Sequence, residues 1–150
     1  MAQNTSPVFP LTVNTSGVQV GSAANVKSDG SSTAIGTDIF KVFTAGANGS
    51  MVYSIRIYPT ASAAATAISA TVVRIFVSSV ASGATTNTNT FLLFEQAIPV
   101  VTADQTVTAI AYYEVVLNKF INANATILAT SHVINAANTN ITVVCFGGDL

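Results

Sequence analysis

The chain has 150 residues, of which 50% are hydrophobic and 7% are charged, and its formal net charge is −1. A soluble domain usually carries about 25% charged residues, so hydroxyl and amide side chains supply most of the polarity here. The few cations are scattered along the chain: Lys27, Lys41, Arg56, Arg74 and Lys119. Nucleic-acid binding through phosphates needs clustered cations, so we expect no nucleic-acid partner.

The length of the chain fits one domain with a substantial core. The N-terminus, MAQNTSPVFP, has no basic start followed by an apolar stretch, so we expect no secretory signal. Asn, Thr and Ser interrupt the uncharged stretches, and none offers the roughly 20 apolar residues of a membrane helix. We therefore expect no membrane partner.

Residues 1–36 are rich in Gly, Ser, Asn and Thr, which favour turns over a continuous helix. Val18 and Val20 alternate with polar neighbours, which indicates a short extended piece. This segment is interpreted as an N-terminal arm or an edge strand, with a disordered tail as the alternative. Residues 37–150 form the predicted folded domain.

Two strands are predicted on either side of a tight turn. Asp38–Thr44 and Ser50–Tyr58 both alternate, and Asn48-Gly49 between them is a strong hairpin signal. Pro59 should end the second strand, since it cannot donate a hydrogen bond. The alternation of that strand assigns four side chains to one face: Met51, Tyr53, Ile55 and Ile57.

The middle of the chain offers two further strands and no convincing helix. Residues 60–70 are Ala-rich, but their Thr and Ser content favours a loop, with a short helical turn as the alternative. Thr71–Ser78 is a predicted strand that points Arg74 outward and Val73, Ile75 and Val77 inward. Phe91–Ile98 is a predicted strand that ends at Pro99.

Three strands are predicted in the last third of the chain. Val107–Leu117 is apolar on both faces, so it should be central or covered by a partner. A polar connection follows over residues 118–124. Thr126–Val133 and Asn140–Phe146 are the last two strands, joined by an Asn- and Ala-rich hairpin loop.

Together these elements predict an all-β fold. About seven or eight strands, separated by turn signals, are typical of an antiparallel β-sandwich of jelly-roll type. The extended N-terminal arm would lie beside it. Strands with one apolar face suit a core between two sheets.

The sequence offers little for catalysis. His132 is the only histidine, no G-x-S-x-G motif is present, and Cys145 is the only cysteine, which suits a buried small hydrophobe. One Cys and one His are too few for a metal site. Glu95 and Glu114 could form a glycosidase pair by number alone, but Trp is absent. We expect no catalytic, cofactor-binding or metal residues, and no enzyme.

Four charged residues stand within the predicted strands, in otherwise neutral stretches: Arg56, Arg74, Glu95 and Glu114. The pattern indicates ion pairs across neighbouring strands or across a subunit boundary. Opposite charges on paired strands contribute roughly 0.2–1 kcal/mol when exposed. Arg is also favoured at interfaces because of its planar head with several donors.

A succession of short motifs stands out. Asp38–Ile57 reads DIFKVFTAGANGSMVYSIRI, a strand into an AGANGS turn and then a strand alternating around an Arg. It is followed by TVVRIFV at 71–77, LLFEQAIP at 92–99, TILATS at 126–131 and VVCFGGDL at 143–150. Over about residues 38–150 this succession resembles small virion proteins of tailed bacteriophages, of the kind that decorate or cement the capsid shell.

The resemblance implies a β-sandwich or jelly-roll protein, made in the host cytoplasm, that assembles on the virion surface. Its partner would be the major capsid protein, and a homotrimer at a three-fold position is the favoured oligomer. Such a protein clamps neighbouring capsid subunits, and no catalytic residues come with the family. Deleting residues 1–36 should then weaken attachment and leave the fold intact.

Two other functions share this fold and composition. A tail-fibre or carbohydrate-binding jelly-roll module would need an exposed aromatic or carboxylate cluster, for which Tyr58, Tyr112 and Tyr113 are the candidates. Adjacent tyrosines on a strand point to opposite faces, so at most one of the last two lies in the core. A shell protein that assembles by itself into closed particles is the other alternative.

Overall fold

The structure is a computed structural model that describes residues 10–61, 66–102 and 112–150. The fold is all-β, as predicted, and every described strand pairing is antiparallel. The described residues form ten strands: β1 Thr12–Val20, β2 Phe40–Thr44, β3 Ser50–Ala61, β4 Ala67–Ile68, β5 Thr71–Ser78, β6 Thr90–Ile98, β7 Val101–Thr102, β8 Tyr113–Ile121, β9 Thr126–Ser131 and β10 Thr139–Asp149.

Eight of these strands build a β-sandwich of two four-stranded sheets. The first sheet has the order β1-β10-β3-β8 and the second has the order β2-β9-β5-β6. The short strands β4 and β7 pair with each other as a separate ribbon. The main core lies between the two sheets and includes Ile55, Ile75, Ile127 and Val143, all fully buried. The final strand β10 lies inside the first sheet, between β1 and β3.

Two predicted hairpins are wrong. The Asn48-Gly49 turn is present, with Gly49 at a φ of 93°, but β2 and β3 lie in different sheets. The same holds for β9 and β10, which the 132–138 loop connects across the sandwich. Turn residues favour a local chain reversal. They do not decide whether the two strands pair edge to edge or stack across a core.

The predicted end of β3 at Pro59 is also wrong. Pro59 lies within β3, opposite Ile141 of β10, and the strand continues to Ala61. The described pairing of β3 with β8 ends at Ile57, opposite Tyr113. At Pro59 the strand therefore has a described partner on one side, and a missing N–H is tolerated at such a position.

The predicted face of β3 holds for only half of the strand. Ile55 and Ile57 are buried as expected, but Val52 is buried as well, whereas Tyr53 is exposed. The pairing of β3 with β8 shifts between Val52 and Ser54. An extra residue at such an irregularity reverses which face the following side chains take. Strict alternation therefore assigned Val52 to the wrong side.

The strand β8 differs most from its prediction. In the described part of the chain it runs over Tyr113–Ile121, through most of the connection predicted to be polar. It is an edge strand of the first sheet rather than a central one, and Val116 and Phe120 are 66% and 60% exposed. Residues 107–111 of the predicted strand lie outside the described residues.

The segment between β1 and β2 crosses the outer face of the second sheet, and we call residues 21–39 the strap. The Asn25 N–H donates to the Ser131 carbonyl at 2.9 Å, and Ser32 and Thr85 exchange backbone hydrogen bonds at 3.1 Å. Ile39 of the strap, Phe76 and Leu128 form a second apolar cluster, each at 0% exposure. Both faces of the second sheet are therefore covered.

Residues 10–36 belong to the folded body. β1 pairs with β10 over its whole length, Val20 lies in the main core, and the strap follows directly. The sequence left an arm, an edge strand or a disordered tail open for residues 1–36. Within that segment, Thr12–Val20 is an edge strand of the first sheet. Deleting residues 1–36 would remove β1 and much of the strap, so we now expect that deletion to destabilise the fold.

Candidate interaction surface

The two sides of the sandwich differ in how the sheets meet. At one side β1 and β2 come together, and the Ser16 hydroxyl donates to the Val42 carbonyl at 2.5 Å. At the other side the edge strands β6 and β8 are separated by an open groove of about 660 Å³. The apolar interior of the sandwich therefore reaches the surface along one edge.

Apolar side chains line this groove, and we call it the β6–β8 groove. Ile127 and Val52 form part of its floor, and Leu117 contributes to a wall. At its rim, Phe91 is 56% exposed, Leu93 is 41% exposed and Phe120 is 60% exposed. Lys119 is the one charged residue among the described residues that line it. Such a concave apolar surface with few polar groups is typical of a binding site.

The four charged strand residues form two pairs. Arg56 of β3 lies opposite Glu114 of β8, and Arg74 of β5 lies opposite Glu95 of β6. The Arg56 Nε donates to Glu114 Oε1 at 2.8 Å, and the Arg74 Nε donates to Glu95 Oε1 at 2.5 Å. Each sheet thus has one cross-strand Arg–Glu pair between its edge strand and the neighbouring strand.

The arginine of the Arg74–Glu95 pair lies beneath the strap. Arg74 points away from the main core, as its strand pattern predicts, yet it is only 8% exposed. Its Nη1 donates to the Asn25 carbonyl at 3.4 Å and lies 3.3 Å from His132 Nδ1. This histidine therefore has a structural partner. Arg74 of β5 therefore contacts the strap at Asn25, β6 at Glu95 and the residue that follows β9, His132.

The Arg56 pair lies among aromatic rings on the outer face of the first sheet, which no segment of residues 10–61, 66–102 and 112–150 crosses. The guanidinium carbon is 4.9 Å from the centre of the Phe146 ring and 5.3 Å from that of Tyr112. The Tyr58 and Tyr112 rings are 5.5 Å apart. We call these five residues the Arg56 cluster: Arg56, Tyr58, Tyr112, Glu114 and Phe146.

Hydrogen bonds hold the carboxylate of this cluster in its charged form. Glu114 Oε1 accepts from Arg56 and also from the Ser54 hydroxyl at 2.9 Å. These bonds lower the pKa of Glu114, with Arg56 as the larger cause. Hydrogen bonding to Glu114 raises the pKa of Arg56 in turn. Both groups stay ionised across the physiological range.

Neither a paired carboxylate site nor a metal site is formed by the described residues. Glu95 and Glu114 lie in different sheets, and each is engaged by its own arginine. The described part of the chain contains no group of three His, Cys, Asp or Glu residues placed to hold a metal ion. No membrane-spanning helix occurs there either.

The single cysteine is packed inside the sandwich. Cys145 is fully buried in the main core, and burial raises the pKa of its thiol to about 12. The thiolate is the reactive form, so we expect no reaction with thiol reagents until the protein unfolds. A thiol titration in native and in denaturing buffer would measure this difference.

The sequence prediction did not identify the residues of the β6–β8 groove. It placed Phe120 in a connecting segment and treated Phe91–Ile98 as an ordinary strand. One signal was available, because Phe91-Leu92-Leu93-Phe94 is a run of four large apolar residues. A strand with one wet face needs only every second residue to be apolar.

Comparisons with known proteins identify no relative. No family model, no curated protein and no solved structure matches this chain.

Proposed function

We propose that this protein is a virion structural protein that decorates and stabilises a bacteriophage capsid by binding across capsid-subunit boundaries. Its partner is the major capsid protein, and it acts without catalysis on the outer surface of the particle. The β6–β8 groove is the observation that carries the proposal, and the motifs at 38–150 supply the identity of the partner.

The open edge of the sandwich suits a protein partner. Both strands that flank the groove are edge strands, and the exposed edge of a sheet can pair with an added strand. Apolar rim residues such as Phe91 and Phe120 could then pack against the partner's side chains. In this proposal, an extended apolar segment of the capsid protein closes the edge that the described residues leave open.

The composition of the surface supports the same proposal. Neutral hydroxyl and amide groups are less costly to remove from water than charged ones, and charged residues are depleted at the centres of interfaces. With 7% charged residues, this chain presents a surface suited to extensive contact with other subunits.

The winding of the strands supports the jelly-roll part of the proposal. The eight long strands fall into two sheets in which β10 joins β1 to β3, and β9 joins β2 to β5. A jelly roll is a double-sheet fold of eight strands with this kind of exchange between sheets. A trimer at a three-fold position remains the proposed assembly, and a native mass measurement tests it.

The first experiment measures occupancy on particles. Intact virions of the phage that encodes the chain are purified, and the ratio of this protein to the major capsid protein is determined. We expect comparable amounts, and loss of the protein should lower the temperature at which particles release DNA. Absence from purified virions would contradict the proposal. Formation of closed particles by the purified chain alone would favour a self-assembling shell protein.

The second experiment tests the groove. Phe91→Ser and Phe120→Ser remove exposed apolar rim side chains, so they should leave the melting temperature nearly unchanged and weaken binding to capsids that lack the protein. Leu11→Ser is the matched control, because Leu11 is 85% exposed and lies beside β1, away from the groove. Equal capsid binding by all three variants would rule out the groove as the contact.

A further inference from the structure

The Arg56 cluster has hydrogen-bonding groups that the described residues leave partly unused. Glu114 Oε1 accepts from both Arg56 and Ser54, and Arg56 Nη1 lies 3.5 Å from the Tyr58 hydroxyl. Within the described part of the chain, Glu114 Oε2 and Arg56 Nη2 take part in no hydrogen bond. A charged acceptor and a charged donor therefore stand side by side, each with one position left for a ligand.

These groups are open to solvent and lie beside aromatic rings. The side chains of Arg56 and Glu114 are 35% and 29% exposed, and Tyr112 is 51% exposed. The Tyr58 and Tyr112 rings are inclined by 31° to each other and lie on one side of the ion pair. A ligand on this face would meet a ring surface and a donor–acceptor pair together.

We propose that the Arg56 cluster binds a neutral saccharide. Neighbouring hydroxyls of a pyranose ring can donate to Glu114 Oε2 and accept from Arg56 Nη2, and the C–H face of the ring can pack on Tyr112. A few placed polar groups beside an aromatic surface are how small polar ligands are oriented. Hydrogen bonds to ionised groups are the stronger kind.

The charge of the surroundings favours a neutral ligand over an ionic one. Arg56 and Glu114 neutralise each other, so the cluster exerts little long-range attraction on either sign of charge. On this face Val144 lies opposite Arg56 and Val116 lies opposite Ser54, and the polar residues Thr15, Gln19 and Thr142 lie at the next positions along the paired strands. All five are uncharged, and Thr15, Gln19 and Thr142 can form hydrogen bonds at the edges of a sugar.

A saccharide fits this face better than a second protein surface. A protein that covered the cluster would take an ion pair out of water, and the cost of that desolvation often exceeds the attraction within the pair. Sugar hydroxyls instead replace water as hydrogen-bond partners, so both charges stay solvated by polar groups. This site lies on a different part of the fold from the β6–β8 groove and does not depend on the capsid proposal.

Saturation-transfer NMR on the purified protein tests the site, with cellobiose, maltose and N,N′-diacetylchitobiose as probes at millimolar concentration. We expect saturable transfer to at least one probe. Tyr112→Ala should remove it, and Glu114→Gln should weaken it roughly tenfold, because a hydrogen bond to a charged acceptor is lost. Tyr53→Ala is the matched control, since Tyr53 is an exposed tyrosine of the same sheet outside the cluster.

The outcomes separate the alternatives. Transfer that disappears in Tyr112→Ala and persists in Tyr53→Ala supports the site. No saturable transfer to any of the three probes overturns it, and so does equal transfer in the wild type and Tyr112→Ala. Loss of capsid binding in the cluster variants, without sugar binding by the wild type, would mark the cluster as a protein contact and overturn the proposal as well.

Discussion

The two sheets of this sandwich carry the same cross-strand Arg–Glu pair in two different environments. On the second sheet the strap covers the arginine, whose side chain is 10% exposed, whereas Glu95 at the edge strand is 44% exposed. On the first sheet no described segment crosses the outer face, and the Arg56 side chain is 35% exposed. The contrast therefore concerns the two arginines: Arg74 is enclosed between the strap and its sheet, whereas Arg56 is open to solvent.

The difference shows that residue type alone does not assign a role to these ion pairs. Besides Glu95, Arg74 contacts the strap at Asn25 and also His132, so it forms hydrogen bonds within the fold. Arg56 lies between Phe146 and Tyr112, and its Nη2 donates no hydrogen bond to the described residues. Matched substitutions on the two sheets should separate the structural role from the accessible one.

The largest expected difference is between two outward-facing phenylalanines. Phe76 is fully buried beneath the strap, and Phe76→Ala should lower the free energy of unfolding by about 3–5 kcal/mol. Phe146→Ala, on the outer face of the first sheet, should cost less than about 2 kcal/mol. Urea unfolding of both variants measures the difference, and equal losses would mean that the strap does not stabilise the second sheet.

The second largest difference in stability is expected between substitutions of the two glutamates, Glu95 and Glu114. Glu95→Ala would leave the guanidinium of Arg74 mostly buried with neutral partners, and should cost about 2 kcal/mol, less than for a fully buried pair because Glu95 is 44% exposed. Glu114→Ala should cost clearly less, since its partner can turn to water. Thermal unfolding at low and high salt compares them. A larger loss of stability for Glu114→Ala would contradict the structural role given to Arg74 and its partner.

The close contact of the strap with the second sheet should be visible at Gly30. Its φ is 73°, and a Cβ there would lie 2.7 Å from Thr90 Cγ2 and 2.9 Å from Phe76 Cδ1. Gly30→Ala should therefore cost about 1–3 kcal/mol more than Gly83→Ala. Gly83 has a similar φ of 79° with no atom near its Cβ position, so the control isolates the contact. Equal stability of the variants would argue against close packing.

The smallest expected effect concerns acid stability at one end of the first sheet. The Ser50 hydroxyl donates to Asp149 Oδ1 at 2.5 Å, and this bond, with further ones from Asn14 and Gly46, lowers the pKa of Asp149. A carboxylate with a lowered pKa stabilises the fold above its unfolded value of about 3.9. That contribution is lost as the pH falls through the lower folded pKa.

Asp149→Asn removes this pH dependence. The difference in free energy of unfolding between wild type and variant should stay constant above about pH 5 and shrink as the pH falls toward about 2. Its full size should be below about 1 kcal/mol, because the group is partly exposed. Urea unfolding of both proteins across this range measures it, and a difference that grows in acid would have the wrong sign.

Much of the fold could be predicted from local patterns. Thr71–Ser78 was predicted with the bounds that the structure has, and the all-β class followed from alternation and turn residues. The predicted bounds of β3 and β8 were wrong because they were read from the local residue types at Pro59 and after Leu117, without the neighbouring strands. In the sheet, a neighbouring strand holds Pro59 in place, and β3 holds β8 extended as far as Ile121.

The candidate surfaces were less accessible to prediction. The four charged residues were named from the sequence, but their partners depend on strand register. The Arg56 cluster draws on β3, β10 and the start of β8, so Phe146 and Tyr112 meet only when three distant segments lie side by side. Nothing in the local pattern of Phe91 or Phe120 shows that their strands lie at the open edge.

The sequence by itself determined the class of the fold, most strand positions and the scarcity of chemically reactive groups, because side-chain alternation and turn propensity act between near neighbours. The tertiary structure alone decided which strands pair, which of the two arginines is covered and along which edge of the sandwich the described residues leave a groove. Those outcomes depend on contacts between residues far apart in the chain, as when Ile39 packs on Phe76 and Leu128. The alternation of a strand shows that one of its faces is apolar, whereas the segment that covers this face depends on tertiary packing.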